Sequence, residues 1–477
     1  MLFVVAAAAM LASCSGQKNH ICTTNCGGDA TVSVTLFDTP PAGVSLLSFS
    51  LPIVGISLTP STGSDVSIYS PATIIPTELT RLQTDSAAIA TGVSVVAGTY
   101  TSINITVAAS SGMFINDSGS MVGSCAAGLV CGLPGGAATT VKVPISLTLT
   151  SGQTQWIGLD VNLNNAIVTT GGIGIDFTQP NVFTATTTTR TGIPSGGVDT
   201  IEDFTGLATA VSGTSITVKS SITGQSITAT INSSTQLDAA PPAYTNCGGA
   251  ASVCLVTNSV VSLDALLSSS GTYTATEIDV LDSAATDEVE GVIYPTSTAG
   301  VFGLILSDKT AASSSVLAAS TTTYGTVVSL NVSGASIDGV DTKTLTPALT
   351  SPTGFSGSGD LLAGQVVRAH VTGVASGTNS VTATASHIIL RFSQVSASVN
   401  SVASSSFTMT GIPAYISSFN TTLSPTPLVQ TYSSATLFDG ITSTTDSNFS
   451  TGKSVAIRAL FMNNSATPFQ AAKVRVP

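Results

Sequence analysis

Six of the seven cysteines fall into three close pairs, Cys22/Cys26, Cys125/Cys131 and Cys247/Cys254, each in a loop rich in Gly or Ala. Thiols this near in sequence have two chemistries open to them. A metal or redox site would want C-x-x-C spacing with further Cys or His ligands, and none of the pairs has it. In an exported protein they read as three short disulfides, each contributing about 2–2.5 kcal/mol in the chain-entropy account. Spacing alone leaves their connectivity open. Carboxylates concentrate once, at Asp279, Asp282, Asp287, Glu288 and Glu290. Clustered carboxylate oxygens suit a hard cation, so calcium between two β-domains is one reading. EF-hand spacing is absent, and a solvated connection is the plainer reading.

The three histidines are His20, His370 and His387. The last two alternate with Val and Ile in what reads as one hairpin, so their rings are expected to share a face. Further metal ligands are not evident beside them. No G-x-S-x-G motif supplies a nucleophile, and Gly357-Ser358-Gly359 reads as a loop. Trp156, the single tryptophan, is either a core ring or a platform for a sugar. Gly171-Gly172-Ile173-Gly174 lacks the βαβ setting of a dinucleotide site. No cofactor is implied, and the chain is not expected to be an enzyme.

The seventh cysteine, Cys14, ends an apolar run that starts at Leu2. A bilayer span needs roughly 20 residues, so this run instead fits the apolar core of a signal peptide. Leu11-Ala12-Ser13-Cys14 reads as a bacterial lipobox, cut before Cys14 and carrying diacylglycerol on the thiol. One acyl chain anchors only marginally, and the two or three of a mature lipoprotein hold stably. Ser15, where retention at the inner membrane would favour Asp, leans towards the outer membrane. The expected location is the cell envelope, at its periplasmic or surface face.

Of its 477 residues 8% are charged, 5% aromatic and 43% hydrophobic, with a net charge of -12. Disorder would combine low hydrophobicity with high charge, and helices would need more Glu, Lys, Arg and Gln. Short runs of Val, Ile and Thr broken by Gly, Pro, Asn and Ser predict an all-β protein. The 13 basic residues form no patch, which argues against nucleic acid and anionic lipid as partners.

The chain divides into a signal peptide (1–13), a lipidated tether (14–29), a first unit (30–183), a Thr/Gly/Pro linker (184–200) and three repeats (201–283, 287–393, 394–477). In the first unit Thr31–Phe37 alternates as a strand and ends at Asp38-Thr39-Pro40-Pro41, where the prolines remove ladder donors. Glu78–Ala90 is the one helical candidate. Each repeat opens with strand, turn and strand. A Ser/Thr signature follows, before Leu237, Tyr324 or Phe438, and a hairpin closes the repeat with Ile278, Ile388 and Val474 in equivalent places.

The LFDTPP segment, the LTRLQ to VAGTYTSINITV passage and the WIGLDVNLN strand resemble DUF4382, a domain found in exported bacterial proteins. The resemblance implies a β-sandwich, immunoglobulin- or prealbumin-like, with no catalytic residues to carry over. The repeats resemble DUF5666, which implies small antiparallel OB-like β-barrels. The expected function is a non-catalytic, lipid-anchored β-domain array presenting binding or adhesion surfaces. Its partners would be the membrane, through lipid, and a glycan or an envelope protein. The alternative is a carbohydrate-binding accessory protein. The linker is expected to let the first unit reorient.

Overall fold

Alternation of apolar residues with Ser and Thr organises the N-terminal unit. In the computed structural model the described residues are 28–476, apart from 42–43, 73, 75, 170–172, 190–199, 240–246, 249, 268–271, 285, 313, 341–352 and 378–379. The strands of the first unit are β1 (Asp29–Thr39), β2 (Ser45–Pro60), β3 (Val66–Tyr69), β4 (Pro76–Glu78), β5 (Ala87–Val96), β6 (Gly98–Val107), β7 (Ser111–Ile115), β8 (Val130–Leu133), β9 (Thr139–Leu149), β10 (Thr154–Asn162), β11 (Ile167–Val168), β12 (Gly174–Ile175) and β13 (Phe183–Thr189).

They build two sheets over one core. One has the order β13-β10-β1-β5, and the other runs β8-β7-β2-β6-β9 with β3 and β4 also on β2. Val32, Val34 and Leu36 of β1 and Ile157, Leu159 and Val161 of β10 join Phe49, Leu51, Ile103 and Ile105 from the other sheet in one buried cluster. Each such side chain contributes about 1.5–3 kcal/mol when fully buried. β2 pairs with β7 up to Ser50 and with β6 from Ile53. Pro52 stands at the change of partner, where its missing N–H costs no ladder bond.

Two expectations are corrected here. Glu78–Ala90 is not a helix: a 3-10 turn covers only Leu79–Leu82, and Ala87 onward is β5, paired with β1. The turn packs Leu79 and Leu82, and beyond Asp85-Ser86 the Ala/Ile/Val pattern has β1's edge to pair with. The stretch assigned to a linker starts as sheet, because Thr184–Thr189 continues β13 against β10.

The rest of the chain repeats one pairing scheme three times. The first repeat has β14 (Thr200–Ser212), β15 (Ser215–Lys219), β16 (Ser226–Thr230), β17 (Gln236–Ala239), β18 (Val260–Leu267) and β19 (Tyr273–Asp282). Its pairings β14–β15, β15–β16, β16–β19, β19–β18 and β18–β14 close a barrel-like ring, with β17 parallel on β19. The second has β20 (Glu288–Pro295), β21 (Val301–Thr310), β22 (Val327–Asn331), β23 (Ser336–Val340), β24 (Val366–Ser376) and β25 (Ser380–Val402). There β20, β21, β22, β25 and β24 close the same ring, and β23 lies parallel on β25.

The third repeat borrows the far half of β25 as its opening strand and adds β26 (Ser406–Thr410), β27 (Leu428–Gln430), β28 (Leu437–Asp439), β29 (Ser454–Phe461) and β30 (Phe469–Arg475). Its ring is β25, β26, β27, β30 and β29, with β28 parallel on β30. The boundary expected at 393/394 therefore falls inside one continuous 23-residue strand.

The equivalence of Ile278, Ile388 and Val474 is visible in their parallel partners, Leu237, Ile337 and Phe438. In the first and third repeats the partner ends the Ser/Thr signature, whereas in the second it is Ile337, beyond that signature. Tyr324 lies before β22 and turns to another use, described below. Gly206 and Gly291 occupy matched positions. A Cβ there would stand 2.3 Å from the Lys219 carbonyl oxygen and 2.0 Å from that of Ile305, so only glycine permits the close approach.

Candidate functional site

The chain has six arginines, and four of them, Arg81, Arg368, Arg391 and Arg458, converge where the four units meet. Matched register places them. Thr205, Glu290 and Gln394 sit at corresponding positions of the three opening strands, opposite Ser262, Arg368 and Arg458. Polar residues at one recurring point of each ring thereby face a common centre.

Asp203 is the hub. It occupies an irregular step of β14 with φ of 53°, a left-handed conformation that Asp tolerates better than most residues. Its N–H donates to Asp264 Oδ1 at 2.7 Å. Arg391 Nη2 donates to Asp203 Oδ1 at 3.0 Å and also to Ser262 Oγ at 3.0 Å. Arg458 donates to Asp203 Oδ2 through Nε at 2.9 Å and Nη2 at 2.5 Å. Arg81 Nη2, from the first unit, donates to the Asp203 carbonyl at 2.6 Å. Burial pushes the Asp203 pKa up, but Arg458, Arg391 and Arg81 together hold it below the ordinary value.

A second cluster adjoins the hub. Arg368, 1% exposed, bonds Glu288, Glu290 and Thr310, and Arg391 Nε lies 3.6 Å from Glu290. Glu288 and Glu290 are therefore buried ion-pair partners on β20, not residues of a solvated connection. Asp279 is buried on β19. Asp282 accepts from Ala284 N and Thr286 Oγ1, and Asp287 accepts from Ala312 N. The acidic run is thus divided among separate partners. Among the described residues no three of His, Cys, Asp and Glu gather as a metal site.

The same centre docks the first unit onto the third repeat. Gln394 Nε2 donates to the Arg81 carbonyl at 2.6 Å and to Asp85 at 3.0 Å, while its Oε1 accepts from Thr84 N. Lys473 pairs with Asp85 at 3.2 Å, and Ser396 donates to Gln83. Nearby, Asp117 accepts from the Tyr415 N–H at 3.0 Å. These contacts replace the expected freedom of the first unit with a polar interface.

Between the first unit and the first two repeats lies a cavity of about 350 Å³. Tyr69, Phe204, Tyr273 and Tyr324 supply rings to its wall, and Arg81, Asp203 and Asp308 supply charge. Burial raises the Tyr273 phenol to about 12 and that of Tyr324 further, so both hydroxyls stay neutral. Burial also lifts Asp308 to about 7, against the pull of Arg81, which leaves a carboxyl that changes charge near neutrality. Rings, a cation and a switchable acid around one void can hold a small ligand with both an apolar face and polar groups.

Residues 29–177 match a family described as a domain of unknown function, DUF4382. The match covers the two-sheet unit from β1 to β12, without β13, and includes Arg81 and the Asp38-Thr39-Pro40-Pro41 turn. No curated protein matches the chain.

Cys125–Cys131 and Cys247–Cys254 are disulfides, with Cα atoms 6.0 and 5.3 Å apart. Cys14, His20, Cys22 and Cys26 lie outside the described residues. His370 and His387 stand opposite each other with ring centroids 5.7 Å apart, sharing a face as expected. His387 Nδ1 is 2.6 Å from Ser336 Oγ. Trp156 is only 3% exposed, so it is no open platform for a sugar. The residues missed from sequence are Arg81, Asp203, Asp308, Arg368, Arg391 and Arg458. A signal was present: in a chain so poor in charge, Arg368, Arg391 and Arg458 each sit between apolar residues in a strand, where only a buried partner satisfies them.

Proposed function

We infer that the chain is a non-catalytic, lipid-anchored protein of the bacterial cell envelope, attached through Cys14 and placed at the outer membrane. In this reading a DUF4382 β-sandwich of immunoglobulin or prealbumin type and three DUF5666-like, OB-like barrels form one binding body. The observation that carries the binding role is the cavity walled by Tyr69, Phe204, Tyr273 and Tyr324 beside Arg81 and Asp308. Binding rather than turnover is favoured because Asp203, Glu288 and Glu290 are committed to arginines.

A carbohydrate ligand is the second reading, and the same wall favours it. Aromatic faces can stack on sugar rings while carboxyl and guanidinium groups bond hydroxyls. Trp156 no longer supports it. The test is a glycan array and an envelope pull-down with the full chain, each repeated with Tyr273→Ala. A ligand retained by the native chain and lost by the variant supports the cavity. Partners retained equally by both would overturn it. The Cys14 anchor is tested by the intact mass of the mature N-terminus, where an unmodified thiol would refute attachment.

A further inference from the structure

A second cavity, of about 530 Å³, lies where the end of β1 faces the third repeat. Asp38 lines it, is 3% exposed, and has both carboxylate oxygens buried with no hydrogen-bond partner. The sequence explains the missing partners. An aspartate at the start of a turn usually accepts from the N–H two or three residues on. Here those residues are Pro40 and Pro41, which have none. A buried carboxylate left this way is costly unless a cation or donor reaches it.

We propose that this cavity binds a small aliphatic primary amine, with the ammonium group on Asp38. Charge favours a cation. Asp160 and Glu78 are the other carboxylates whose fields reach Asp38, against the single guanidinium of Arg475. Arg475 is itself engaged, by Asp439 at 3.5 Å, the Gln83 carbonyl at 3.1 Å and the Phe37 ring at 4.8 Å. Asp117, also in the wall, is satisfied by Ser45 and the Tyr415 N–H. A divalent metal is disfavoured, because no three-residue ligand group forms among the described residues. Val44, Ile412, Pro413 and Val455 give the cavity apolar walls for an alkyl body. Burial and then Asp160 push the Asp38 carboxyl well above its ordinary pKa, so an ammonium would draw off the proton by stabilising the charged form.

The experiment titrates the full chain with hexylamine, hexanol and hexanoate by calorimetry. Hexylamine is expected to saturate one site and to bind at least tenfold tighter than hexanol, with hexanoate silent. Its affinity is expected to fall as pH drops and Asp38 is protonated. Asp38→Asn should lose the preference for the amine at least tenfold. Ala397→Leu, which fills the cavity and leaves Asp38 in place, should abolish binding and decides the matter if Asp38→Asn fails to fold. Equal binding of hexanol and hexylamine would overturn the proposal. So would no saturable amine binding, or amine binding unchanged in a folded Asp38→Asn or in Ala397→Leu.

Discussion

Arg458 holds Asp203 across 255 positions of sequence, with two guanidinium nitrogens on one carboxylate oxygen. The contact joins the first repeat to the third, and Arg391 of the second completes it through the other oxygen. A single carboxylate therefore ties three rings of strands together.

Replacing that carboxylate exposes its importance. Asp203→Ala leaves Arg391 and Arg458 buried without their shared counter-charge, and removing one partner of a buried pair costs about 3–5 kcal/mol. Chemical denaturation should show this loss, far above the few tenths expected from a surface aspartate. In the native chain, the folded Asp203 pKa lies below the ordinary 3.8. Its contribution is thus present above pH 3.8 and is lost as pH falls through the folded value. Asp203→Ala should show a shallower acid slope.

Asp308 behaves in the opposite sense. Its folded pKa of about 7 exceeds the ordinary 3.8, so between these values the folded chain holds a proton that the unfolded chain has released. The associated stability is full below 3.8 and is lost as pH rises through 7. The slope from this group approaches about 1.4 kcal/mol per pH unit in the middle of the window. Melting measured from pH 5 to pH 8 should flatten in Asp308→Asn.

The disulfides give a simpler expectation. Alkylation of the unfolded, unreduced chain should leave Cys125, Cys131, Cys247 and Cys254 unlabelled. Loss of either bridge by paired Cys→Ala substitution should cost about 2 kcal/mol in the chain-entropy account.

Docking of the first unit should also be measurable in solution. Gln394 and Lys473 bond Arg81 and Asp85 across the interface. X-ray scattering of the full chain should fit a single body, and the double variant Gln394→Ala, Lys473→Ala should broaden it. An unchanged profile in the double variant would count against these contacts as the clamp.

Much of the local structure was legible because its cause is local. Thr31–Phe37 alternates, so β1 follows; Ile278, Ile388 and Val474 recur, so the repeats follow. Ser336–Ile337 has no Ser/Thr run like the one before Tyr324, so the parallel partner of Ile388 does not show in the sequence. The junction was not legible, since the meeting of Asp203, Arg391 and Arg458 depends on how whole rings pack. The burial of the acidic run is hidden for the same reason: Arg368, the partner of Glu288, lies 80 positions away.

The 23-residue strand β25 belongs to two barrels at once. Any cut between them must sever hydrogen-bonded backbone, so neither barrel has a natural seam at which it could be expressed alone. Melting of one unzips the edge of the other, and the pair should unfold in one calorimetric peak.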